Sequence, residues 1–258
     1  MISTPQGTTI EATTDSLIED CCRTISRKSF AHVGAEVATS LLRQRYALDV
    51  SDWSEFEESF TRLPPDDYMA DGGRYRRRRH ATFSASACGA DLRVEAHQPH
   101  YQSLTYNELN GGVARHFDPI ESNVLRGDTL TAVVTLGCEL VGRLAPYSGW
   151  YIEVHQFRIE TDGTSIALPT PEGTHRDGVT FAMMLMVKRA NVAGGVTTIY
   201  DLDNNPLQQF TLSDPMDLAI VNDERVRHGV SAITAIEDGE LAYRDLLVVT
   251  YRHKPASD

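Results

Sequence analysis

Apolar residues recur at helical spacing in the first part of the chain. Leu17, Ile18 and Ile25 share one face behind a Thr14/Asp15 cap, which predicts a helix over Thr14–Lys28. Val37, Leu41, Leu42 and Tyr46 predict a second helix over Gly34–Leu48. A short third helix is expected over Asp52–Phe60 behind Ser51, broken by Pro64-Pro65-Asp66-Asp67. From about Tyr75 the pattern shortens into brief segments. One more helix is expected at Asp128–Leu144, where Leu130, Val133, Val134, Leu140, Val141 and Leu144 form an apolar stripe ended by Pro146 and Gly149.

After Gly149 the chain reads as strands. Trp150–Glu160, Val179–Lys188, Val196–Tyr200, Asp217–Asn222, Val226–Thr234 and Arg244–Arg252 are rich in β-branched, aromatic and other apolar residues, and turn residues separate them. Many short strands with regular turns predict a mainly β (α+β) chain built as a sandwich or small barrel, with helices on the outside. Residues 1–13 read as a disordered lead-in, 14–100 as a helical N-terminal region packed on the core, and 101–258 as the core, in one structural domain overall.

Composition narrows the class. Of 258 residues, 41% are apolar and 23% charged, as in an ordinary globular protein, and no apolar run reaches membrane-spanning length. Met1 to Thr14 lacks the basic start and apolar stretch of a secretory signal, so a cytoplasmic location is expected. Cys21, Cys22, Cys88 and Cys138 show no metal-binding spacing and read as reduced thiols. A net charge of −12 argues against nucleic acid as a partner. The local exception is Arg74-Tyr75-Arg76-Arg77-Arg78-Arg79-His80, read as a run alternating outward on a strand or covering a solvated face.

The chemistry concentrates on histidine and carboxylate. Non-haem Fe(II) oxygenases hold iron with two His and one carboxylate on one side of the metal, leaving positions for an oxo-acid and O2. Residues i and i+2 of an extended segment point the same way, so a His-x-Asp pair can reach one ion. Nine His and 36 acidic residues make roughly one such pair expected by chance. Two occur: His116-Phe117-Asp118 and His175-Arg176-Asp177. Pro119 comes after the first and disfavours a continuing central strand, whereas Gly178 and the apolar run Val179–Val187 come after the second. His175 and Asp177 are therefore the candidate ligands, with His228 downstream as the third. Arg244 begins the last strand on a face shared with Leu246, Val248 and Thr250. Its guanidinium suits the far carboxylate of 2-oxoglutarate, and Arg252 is a second choice.

Several blocks carry a resemblance: His155-Gln156-Phe157-Arg158-Ile159, Pro171 to Gly178, Arg189 to Gly195, Ile199-Tyr200-Asp201, and Tyr243 to Thr250, with Asn107 to Ile120 also fitting. Across about 150–252 the chain resembles the 2-oxoglutarate/Fe(II) dioxygenases related to bacterial L-isoleucine 4-hydroxylase. The resemblance implies a double-stranded β-helix (jelly-roll) core with flanking N-terminal helices. It implies Fe(II) on His175, Asp177 and His228, 2-oxoglutarate on Arg244, and O2 as oxidant. It also implies a free L-amino acid as the small-molecule substrate, with an aliphatic, isoleucine-like side chain hydroxylated, or a thioether sulfoxidised, and succinate and CO2 released. Arg158, His155, Arg115 and His116 are candidate substrate-contacting residues; His155 and Arg158 have opposite parity on the first core strand, so at most one of them faces inward. A cupin-like binding or regulatory protein without turnover is the alternative, and Asp177 argues against a halogenase, which needs a non-coordinating residue there.

Overall fold

The computed structural model describes residues 13–87, 89, 91–145, 149–163 and 165–254. Of the expected lead-in only Thr13 falls among them; Cys88 and Pro146 lie outside them. Helix α1 spans Thr14–Lys28 as expected, but its N-cap is Thr13, whose Oγ1 accepts from the Ser16 amide at 3.3 Å. Next come β1 (Phe30–Val33), α2 (Ala35–Tyr46) and α3 (Val50–Ser59), then β2 (Arg76–Ser86), β3 (Arg93–Val94), β4 (His100–Tyr101) and β5 (Ala114–Arg115). α4 (Ser122–Leu125) and α5 (Asp128–Leu144) lead into the strand-rich half. It consists of β6 (Gly149–Thr161), β7 (Phe181–Ala190), β8 (Val192–Gly194), β9 (Thr197–Tyr200), β10 (Pro206–Phe210), β11 (Leu218–Asn222), β12 (Arg227–Val230), β13 (Ile233–Ala235) and β14 (Ala242–His253). The single strand expected over Val226–Thr234 is thus two, and β1, β2 and β10 are strands that periodicity did not announce.

The main sheet runs β1-β11-β7-β14-β6-β2-β3, with β10-β9-β12, β13-β8 and β4-β5 as smaller sheets. The architecture is mainly β: a jelly-roll core with helices flanking it. The main sheet is buried on both faces, and the alternation of its strands divides them. On one face Ile152, Met183, Leu185, Leu247, Val249 and Tyr251 pack against Ile18, Leu42, Phe60, Leu136 and Leu140 beneath the helices. On the other, Met184, Met186, Ala219 and Leu246 pack against Ile199 of the smaller β10-β9-β12 sheet. The consecutive methionines of β7 therefore serve two different cores. No helix among the described residues is long and apolar enough to cross a membrane.

Helix α5 meets the sheet at a very close crossing. The Tyr251 hydroxyl donates to the Val134 carbonyl at 3.1 Å, inside the helix–sheet interface. A Cβ on Gly137 would stand 1.8 Å from that hydroxyl and 3.1 Å from Met183 Cε. Gly137→Ala is therefore expected to destabilise the protein by about 1–3 kcal/mol, because the clash outweighs the roughly 1 kcal/mol that alanine contributes in a helix. A urea melt should show a lower midpoint with an unchanged slope; a midpoint at or above the wild-type value would contradict this packing.

Candidate metal centre

Two elements that are far apart in sequence bring three donors together. His175 lies in the loop before β7 and His228 on β12. Their backbones form an isolated antiparallel bridge, with the His175 amide donating to the His228 carbonyl at 2.9 Å and the reverse bond at 3.0 Å. The bridge sets the rings side by side, centroids 4.5 Å apart. Asp177 reaches the same point, with Oδ1 3.4 Å from His175 Nε2 and Oδ2 3.7 Å from His228 Nε2. The donor atoms of all three lie within 4.8 Å of one another. The other ring nitrogen of His175, Nδ1, is 3.0 Å from the Gly173 carbonyl. A proton held there leaves the Nε2 lone pair free for a cation. Two imidazoles and one carboxylate on one side of a point fit a divalent transition ion.

The electrostatics are those of a site built around positive charge. Burial pushes the Asp177 carboxyl up, but the His175 contact and the charges of both histidines pull it down to about 2. Burial likewise disfavours charge on His175, yet Asp177 and Glu172 bring it up to about 9. His228 is driven down to about 4 by burial and then by His175, against the pull of Asp177.

A buried carboxylate shapes the loop that carries Asp177. Asp223 Oδ1 accepts from the Asp177 amide at 2.8 Å, and Oδ2 accepts from Gly178 at 2.8 Å and Val179 at 3.2 Å. Burial first, and then the Asp177 charge, push Asp223 up to about 6 against those three amides. Gly178 has φ +79°, and a Cβ there would stand 2.4 Å from the Tyr106 ring, so glycine is required. His175 to Asp177 is accordingly a pinned loop, not the expected start of a strand; β7 begins only at Phe181.

The three donors line a cavity between the sheets together with Arg244, Met184, Leu246, Val248, Phe157 and Ile159. Arg244 is 2% exposed, forms no ion pair with a described carboxylate, and has a buried Nε without a partner. Burial, and then Arg189, lower it to about 10, which leaves it charged at neutral pH. A cavity-facing cation without a counter-ion fits an anionic ligand. His155 and Arg115 also line the cavity, as does Arg252.

Two of the expected substrate residues are elsewhere. Arg158 points to the helix side of the sheet, where its Nε and Nη2 donate to Asp245 at 2.7 and 2.6 Å. The strand parity that sends His155 into the cavity sends Arg158 away from it. His116 is exposed, and its amide donates to the Tyr68 hydroxyl at 3.0 Å. The arginine run also departs from expectation. Arg76 and Arg78 are buried on the cavity wall, while Arg77 pairs with Glu160 at 2.5 Å on the opposite face. Sequence reasoning missed Asp223 and the cavity-lining Glu153, and it gave Glu172, which lies 3.5 Å from His175 Nε2, to turn geometry. For the arginines the usable signal was strand alternation, hidden because both parities of the run are arginine.

A family model described as 2OG-Fe dioxygenase matches residues 57–250. The chain is 23% identical over 186 residues to L-isoleucine-4-hydroxylase of Bacillus thuringiensis, covering 70% of this chain and 77% of that one. It is similar to the crystal structure of a bsmA homologue from Methylobium petroleophilum PM1, with a TM-score of 0.83 and 30% identity over 93% of this chain and 95% of the other. The structure of IDO from Bacillus thuringiensis shares the fold at a TM-score of 0.76 and 18% identity, over 92% of this chain and all of that one. The matched span runs from α3 to β14 and contains the three donors and Arg244, and on that basis the chain belongs to the 2OG-Fe dioxygenase family, whose chemistry uses Fe(II), 2-oxoglutarate and O2.

Proposed function

We propose that the protein hydroxylates the aliphatic side chain of a free L-amino acid, releasing succinate and CO2. The observation that carries the reading is one cavity holding both a His/Asp/His donor set and a buried arginine without a counter-ion among the described residues. The amino-acid part rests on likeness to L-isoleucine-4-hydroxylase. In this reading His175, Asp177 and His228 hold Fe(II), and Arg244 holds the far carboxylate of 2-oxoglutarate by a charged, two-pronged contact. The bound iron and cosubstrate supply oxygen activation, with one oxygen atom going into succinate and the other into the substrate C–H bond. The protein's own residues do the rest. Asp223 orients the Asp177 backbone, the Gly173 carbonyl sets the His175 ring, and Met184, Phe157, Leu246 and Val248 keep the cavity dry.

Aerobic incubation with Fe(II), 2-oxoglutarate and each L-amino acid should give succinate matched by a product one oxygen heavier; no stimulation by any amino acid would remove the substrate claim. Arg244→Ala is expected to raise the KM for 2-oxoglutarate about 10- to 100-fold, as loss of a charged hydrogen-bonded contact implies; an unchanged KM places the anchor elsewhere. Asp223→Ala should weaken Fe(II) binding about 10- to 100-fold by freeing the loop that aims Asp177, and equilibrium dialysis reads this directly.

A further inference from the structure

The arginine run has no part in the iron and cosubstrate sites, yet alternate members of it enter the cavity. β2 pairs with β6 so that Arg78 stands opposite Phe157 and Arg76 opposite Ile159, on the wall those two residues line. On the other side of β6, Ile159 pairs with Arg244. Arg76 and Arg244 therefore occupy one row of the sheet with a single strand between them, roughly 10 Å apart at ordinary strand spacing. Arg115 comes in from β5 to line the same cavity.

These guanidinia are buried and under-compensated. Arg76, Arg78 and Arg115 are 6%, 4% and 2% exposed. Asp66 accepts from Arg76 Nε at 2.7 Å and lies 3.6 Å from Arg78 Nη1. No described carboxylate forms an ion pair with Arg115, whose Nη2 donates to Gln102 Oε1 at 3.4 Å. Arg76 Nη2, Arg78 Nε and Arg115 Nε are buried without hydrogen-bond partners among the described residues. Buried charge left partly paired is costly, and an anion entering the cavity relieves it. Arg78 is also held ready: its guanidinium carbon lies 3.7 Å from the Phe117 ring centroid and 4.4 Å from that of Phe157. His80, His100, His155 and Glu153 cluster beside it in a set of donors that could hold a cation. Arg78 Nη2, however, lies 2.8 Å from His155 Nδ1 and so occupies that lone pair and adds positive charge. Glu153 also lines this end, but it is engaged by His80 Nε2 at 3.2 Å and His100 Nδ1 at 2.8 Å, and the guanidinia of Arg76, Arg78 and Arg115 outnumber the carboxylates Asp66 and Glu153, so the balance suits an anion.

We propose that Arg78 and Arg115, backed by Arg76, form a second carboxylate site in the cavity, distinct from Arg244, that binds the carboxylate of the substrate. The substrate is held by its acid end against β2 and β5 while its side chain extends toward His175, Asp177 and His228. The assignment to substrate rests on the amino-acid reading above; the anion site itself does not.

The test is calorimetric titration of the anaerobic protein saturated with Fe(II) and 2-oxoglutarate, so that Arg244 is already engaged. The probes are hexanoate and hexanamide, which share a chain and differ in the head group. Hexanoate should bind at least tenfold more tightly than the amide. Arg78→Gln and Arg115→Gln should each weaken hexanoate about 10- to 100-fold, the loss expected for a charged hydrogen bond, and still bind 2-oxoglutarate. Should a glutamine variant not fold, the Arg→Lys protein at that position carries the same expectation at about threefold or more, since lysine lacks the planar fork. Equal binding of acid and amide, no hexanoate binding, or variants that lose 2-oxoglutarate while keeping hexanoate would each overturn the proposal. If hexanoate behaves as expected and no amino acid is turned over, the anion site stands and the amino-acid reading falls. If an amino acid is turned over with an unchanged KM in both arginine variants, the inference fails and the proposed activity survives.

Discussion

The centre depends on the two backbone hydrogen bonds that join His175 to His228. They bring together residues from a loop and a strand separated in sequence by β7 through β11, and neither ring has to be reached by a long side chain. With both imidazoles placed by main chain, only the carboxylate needs separate support. Asp223 supplies it by accepting from three consecutive amides, so the loop cannot relax into a strand and turn Asp177 away. A buried carboxylate next to Asp177 costs electrostatic energy, which shows in its raised pKa. The three amides it accepts from offset part of that cost.

Parity in the main sheet assigns the remaining charges. Arg244 and Asp245 are neighbours, yet one lines the cavity and the other closes a buried pair with Arg158 under the helices. The same alternation splits Arg76 and Arg78 from Arg77 and Arg79. A one-residue slip of β2 would exchange cavity cations for structural ones, and a slip of β14 would turn Arg244 away from the cavity, so the long antiparallel register of β2, β6 and β14 is as necessary to the site as the donors themselves.

Much of this was legible in the sequence. α1 and α5 have the boundaries their apolar stripes indicate, because a helix packed by one face reports its own period, even in α5, where most residues are buried. The choice of His175-Arg176-Asp177 over His116-Phe117-Asp118 rested on the residues just downstream of each pair, Gly178 and an apolar run in one case and Pro119 in the other. The structure gathers the first pair with His228 and leaves His116 exposed. The features that stayed hidden have definite causes. β2 is polar on both faces at Arg76–His80, so alternation gave no inward side. β1 is only four residues long and takes its place from β11, across the chain. The opposite parity of His155 and Arg158 was legible, but not which of the two faces inward; the fold gives the cavity to His155 and turns Arg158 to the helices. Asp223 comes after a strand like any turn aspartate, and only the folded loop reveals the three amides it accepts.

The central claim is that His175, Asp177 and His228 form one site that takes iron together with an oxo-acid. It is tested most directly by anaerobic titration of Fe(II) into the protein with and without 2-oxoglutarate, watched in the visible region. The expected result is a charge-transfer band that needs both components, saturates at one iron per chain, and is lost in Asp177→Ala and His228→Ala. Absence of the band in the wild-type protein, or an undiminished band in either variant, would contradict it.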